Sequence, residues 1–91
     1  MAAQVTARRM VGGQGHEHIS HLQWIEAGTG AKKTSTRAEM VTFVKGGGQA
    51  YVTAGGYTAY LRVRQTAGGT EYVQTYADGV WKDNLLALPT F

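Results

Sequence analysis

Glycine doublets and a triplet at positions 12–13, 46–48, 55–56 and 68–69 cut this chain into short runs. Each run must become a strand, a hairpin arm or one short helix, with glycine supplying turn conformations that other residues resist. None of the clusters has the Lys-Ser/Thr spacing of a phosphate loop. None follows the strand–glycine–helix order of a dinucleotide site, so they read as turns and imply no cofactor. At 91 residues the chain has room for one domain, 1–91. A domain of this size buries about 60% of its unfolded surface, so its core is thin.

The one helix is marked by its ends. Thr36-Arg37-Ala38-Glu39 has the form of a capping box, in which a hydroxyl and a carboxylate each satisfy a free N–H of the first turn. Met40, Val41 and Val44 follow at helical spacing, with Phe43 beside them, and Gly46-Gly47-Gly48 closes the helix. Roughly ten residues of helix cannot stand alone, so one face must lie on a sheet.

Elsewhere apolar and polar residues alternate as in half-buried strands. Val5 to Met10 and Ile19 to Ile25 precede the helix, and three strands follow it. Gly55-Gly56 joins Ala50-Tyr51-Val52-Thr53-Ala54 to the run 57–64 as a hairpin, and Glu71-Tyr72-Val73-Gln74-Thr75-Tyr76 is the last strand. Asp78-Gly79 breaks it, leaving 81–88 as a short apolar close. The pattern predicts a small α+β domain in ββαβββ order. Five mostly antiparallel strands carry one helix packed on one face. Met40, Val41, Val44, Val52, Leu61, Val63, Val73, Leu85 and Leu88 are expected to form most of the core.

The closing third of the chain carries a longer signature. Tyr72-Val73-Gln74-Thr75, then Ala77-Asp78-Gly79, then Asp83-Asn84-Leu85-Leu86-Ala87-Leu88-Pro89 resembles the DUF3892 family of small bacterial and phage proteins. Val5-Thr6, His16-Glu17-His18-Ile19-Ser20-His21, a short helix before Gly46, and Tyr51-Val52 ahead of Gly55-Gly56 extend the likeness in the same order. Gln74 departs from it, because the family commonly carries arginine there, so an anion contact made by that arginine does not transfer. The resemblance implies a compact standalone domain of a family without an assigned function. A phage or mobile-element accessory role, including inhibition of a host system, follows from the resemblance alone.

Chemistry is sparse. With no cysteine there is no disulfide, thiolate metal site or cysteine nucleophile, as suits a cytoplasmic protein. No apolar stretch approaches the roughly 20 residues of a membrane helix, and no membrane partner is expected. The six carboxylates include no tight pair, and Ser20 and His21 as strand neighbours face opposite ways, so no catalytic group is assigned. His16 and His18 would share a face of an extended strand, with His21 near, as a weak metal site lacking a fourth ligand. The plainer reading is a polar strand edge whose imidazoles pair with Glu17 and Glu26.

The net charge of +3 permits anionic partners without demanding them. Arg62, Arg64 and Tyr60 fall on one strand face, where guanidinium groups can meet phosphate and a ring can stack on a base. Arg8, Arg9 and Lys82 are candidates to extend that surface. Tyr57, Tyr60, Tyr76 and Trp81 are candidate exposed anchors, since such rings carry large contact area on few rotors. These features favour a non-enzymatic binding module that engages a protein partner or a second copy of itself as a homodimer. Nucleic-acid binding through Arg62, Arg64 and Tyr60 is the alternative, and metal binding through His16, His18 and His21 the second alternative.

Overall fold

Thr36 opens the helix as its sequence requires. In the computed structural model its hydroxyl accepts from Glu39 N at 3.1 Å, while Glu39 Oε1 accepts from Thr36 N at 2.8 Å. The structure describes residues 2–13, 15–54, 56–77 and 79–91, the side chains of Ala54 and Tyr57 excepted. The helix, α1 (Arg37–Lys45), closes through the glycine triplet. Gly48 N donates to Phe43 O and Gly47 N to Val44 O, with Gly47 at φ 93°, a conformation that favours glycine. The Phe43 ring lies where a side chain at Gly48 would stand, 2.5 Å from that Cβ position.

Among the described residues seven strands form one mixed sheet: β1 (Ala2–Met10), β2 (Ile19–Glu26), β3 (Lys32–Thr36), β4 (Gln49–Ala54), β5 (Tyr57–Gln65), β6 (Glu71–Ala77) and β7 (Val80–Lys82). Their order is β3-β2-β1-β4-β5-β6-β7, and β1 with β4 is the parallel pair at its centre. The α+β class and the single helix on a sheet agree with the sequence reading. The five-strand count does not. β3 (Lys-Lys-Thr-Ser-Thr) has no apolar residue because it is an edge strand, paired only with β2, and edges tolerate lysine and polar residues. β7 overlaps the start of the expected apolar close; it is a three-residue arm that pairs back on β6, from Ala77 with Val80 to Thr75 with Lys82.

The helix connects β3 to β4 and packs against β6, β2, β3 and β5, and its Met40 and Val41 enter a core shared with Val5, Leu22, Trp24, Val52, Leu61 and Val73. Of the expected core, Met40, Val41, Val52, Leu61, Val73 and Leu85 are buried, while Val44, Val63 and Leu88 pack partly buried against them. After β7 the chain turns through bonds such as Leu86 N to Asp83 O, sinks Leu85 fully into the core, and runs to β1. There Arg8 N donates to Pro89 O and Phe91 N to Arg8 O. The last residues thus occupy the flank of β1 beyond its short pairing with β4, at Ala2, Ala3 and Gln4. Among the described residues no helix is long and apolar enough to cross a membrane.

Candidate binding surface on the helix-free face

Residues directly opposite in a sheet share a face, so the register shows what faces away from α1. Gln4 pairs with Ile25 on one side and Tyr51 on the other. Tyr51 then pairs with Tyr60, Tyr60 with Tyr76, and Tyr76 with Trp81. Four rings from four consecutive strands therefore form one row, about 15 Å long at the usual strand spacing. Tyr51 and Tyr60 have centroids 5.9 Å apart, and Tyr76 meets Trp81 edge-on at 5.0 Å. Tyr60 is 49% exposed and Trp81 37%, both high for aromatic side chains on a small domain.

Two guanidinium groups stand on the same face. Arg62 lies 4.4 Å above the Tyr76 ring and Arg64 4.5 Å above Trp81. Arg64 also donates to Oε1 of the buried Gln74 at 3.1 Å, and the Gln74 amide donates in turn to Lys82 O at 3.2 Å. That glutamine fixes the arginine over the indole. The sequence grouping of Tyr60, Arg62 and Arg64 is thus brought together with Tyr76 and Trp81, and with Tyr51, which the sequence reading did not select. Tyr51 joins the row through the β4–β5 hairpin register, which sets it opposite Tyr60.

Charge is segregated between the two faces. Glu26 pairs with Ala3 and Glu71 with Gln65, which puts both strand carboxylates on the helix side, where Lys33 and Lys45 reach them at 3.2 and 2.8 Å. Lys32, Arg62 and Arg64 register onto the opposite face. Among the described strand positions that face carries no carboxylate; Asp78 lies outside the described residues, as does the side chain of Tyr57.

The three candidates for extending this surface do not join the row. Arg8 turns toward the C-terminal segment, where Nη2 donates to Leu86 O at 2.7 Å, because a bulge in β1 between Val5 and Ala7 shifts its alternation. Lys82 pairs with Thr75 and so faces away from the row. Arg9 is likewise taken up by the terminus, with its guanidinium 4.9 Å over the Phe91 ring.

The histidines do not converge. His16 and His18 sit in a 3₁₀ turn (His16–His18), not an extended strand, so the alternation that would have aligned them is lost. His16 is buried, His18 lies 3.6 Å from Glu17, and His21 Nδ1 is 2.9 Å from Ser20 Oγ in β2. Among the described residues no group of three or more His, Asp or Glu is placed to hold a metal. Burial holds the His16 pKa below its ordinary value, opposed by the nearby Asp83 and Glu17 carboxylates and assisted by Arg64 and Arg8. Asn84 accepts from the Thr75 hydroxyl at 3.3 Å, which ties the closing motif to β6. A groove of 340 Å³ between α1 and the start of β6 is lined by Arg37, Ala38, Val41, Thr42, Thr70 and Glu71. Its charged groups are already engaged, Arg37 with Glu17 O and Glu71 with Lys45.

A family model described as a protein of unknown function (DUF3892) matches residues 4–89. The chain belongs to DUF3892. No curated protein and no solved structure matches it. The signature by which the sequence resembles DUF3892 falls in β6 and in the returning C-terminal segment, where Thr75, Leu85 and Pro89 join that segment to the sheet. Its residues are therefore explained largely by architecture. Gln74, the departure from the DUF3892 pattern, is the exception, since it holds Arg64 within the aromatic row.

Proposed function

We propose that the protein is a non-enzymatic binding module whose recognition surface is the aromatic–arginine row on the helix-free face. The observation that carries this reading is the alignment of Tyr51, Tyr60, Tyr76 and Trp81 across four strands, with Arg62 and Arg64 stacked on two of the rings. Rings and guanidinium groups are the side chains that most often carry binding energy at interfaces. Here they are partly exposed, and packing the core does not require them on that face. The sheet and the Gln74 bond hold them in place before any partner arrives, which lowers the ordering cost of binding.

The test is capture of partners from a lysate of the native host by the wild-type protein and by a folded Tyr60→Ser/Trp81→Ser variant, each with and without nuclease. A partner captured by the wild type and lost by the variant is the expected result. A saturable partner held equally by both proteins would move the recognition surface elsewhere.

A further inference from the structure

Building on that reading, we infer that the occupant of the row is single-stranded nucleic acid, with bases stacked on Tyr60 and Trp81 and phosphates met by Arg62 and Arg64. Three observations combine. The two most exposed rings of the row, Tyr60 and Trp81, flank Tyr76 in register, so they present π surface at intervals along a track. Cations line that track without a described strand carboxylate on the same face, while the strand carboxylates are paired on the other. The positions around the rings are mostly polar: Gln4, Gln23, Thr34, Thr53 and Thr58 register onto this face, with Ile25, Ala2 and Ala7 as aliphatic positions.

These features together fit one chemistry. Rings and arginines serve protein interfaces too, but such interfaces are depleted of charge at their centre, and two copies meeting through this face would press Arg62 and Arg64 against their own like charges. A sequence-tolerant single-strand site instead combines a basic track with rings, because every base has a π face and every link carries a phosphate. A duplex keeps its base faces stacked on one another, so the exposed rings of this row find no π face there to stack on. Unpaired bases can stack directly on such a sheet.

Anisotropy titration of a labelled 12-nucleotide single strand, DNA and RNA in turn, tests this at 50 and 200 mM salt beside a duplex of the same length and heparin as a base-free polyanion. Single strands should bind more tightly than duplex, and affinity should fall about sevenfold between the two salts, as two phosphate contacts require. Binding should quench the fluorescence of Trp81, because Trp24 is buried on the other face; the Trp81→Phe variant should lose the quench. Tyr60→Ser should weaken binding roughly 5- to 150-fold, the range for one stacked base. Arg62→Gln, which leaves the Arg64–Gln74 bond intact, should lower the logarithmic salt slope by about 0.7, whereas Lys45→Gln on the helix side should leave it unchanged.

Absence of saturable single-strand binding at 50 mM salt would overturn the inference. So would equal losses in the Arg62→Gln and Lys45→Gln variants, or heparin binding as tightly with the same Trp81 quench. If these fail while the Tyr60→Ser/Trp81→Ser variant still loses a nuclease-insensitive partner, the row binds protein and the broader reading stands. If the variant loses nothing, both fall.

Discussion

His16 is the residue whose environment has the clearest consequence in solution. It is only 8% exposed, its Nε2 has no hydrogen-bond partner among the described residues, and burial holds its pKa below 6.5. The folded protein therefore binds a proton at this site less readily than the unfolded chain does. Stability should be complete above the unfolded value of 6.5 and decline as pH falls below it, through the folded pKa. Asp83 and Glu17 reduce the slope by favouring the charged ring, and Arg8 and Arg64 increase it. Urea unfolding between pH 8 and pH 5 measures this, and His16→Gln should flatten the profile. A profile that is equally steep in the variant would assign the dependence to another group. Gln74 shows the other use of a buried polar side chain: both ends of its amide are satisfied, by Arg64 and by Lys82 O.

Among the elements, α1 depends most on its own ends. Its nine residues are too few for an independent helix, so the capping box and the apolar contact with the sheet must act together. Thr36→Ala should cost about 1 kcal/mol, with a range of roughly 0.5–2, because Glu39 N then loses its acceptor. Thermal or urea denaturation of the variant checks this, and Thr36→Ser should recover most of the loss. The capping box, the glycine-closed terminus and the β4–β5 hairpin were legible in the sequence because each is decided within a few residues. The polar edge strand β3 was not. Lys32 to Thr36 bury no large apolar side chain, so the strand exists only because β2 offers it a ladder, from His21 with Thr36 to Ile25 with Lys32.

For the molecule as a whole, closure depends on the C-terminal segment. Leu85 is completely buried among residues from both halves of the sheet, and Arg8 Nη2, its backbone N–H and its carbonyl all bond the residues that follow. Leu85→Ala should destabilise the fold by about 2–5 kcal/mol, the cost of lost burial plus the cavity left behind. Ala87→Ser, at an exposed position on the same segment, should cost less than about 0.5 kcal/mol. Equilibrium urea melts of the two variants compare them directly. Near-equal losses would mean that this segment is held by its backbone and not by the leucine.

Short-range spacing settles the helix and both its ends, the alternation that separates Leu61 and Val63 from Tyr60, Arg62 and Arg64, and most of the core. Those features depend on spacings of a few residues and on the burial of oily side chains. Long-range pairing, by contrast, stands Tyr51, Tyr60, Tyr76 and Trp81 in one row, turns Arg8 and Lys82 away from it, and parts the histidines. Strand order, a bulge in β1 and a 3₁₀ turn set those outcomes. Each is fixed by which distant segment supplies the partner for a backbone hydrogen bond, and local periodicity carries no record of that choice.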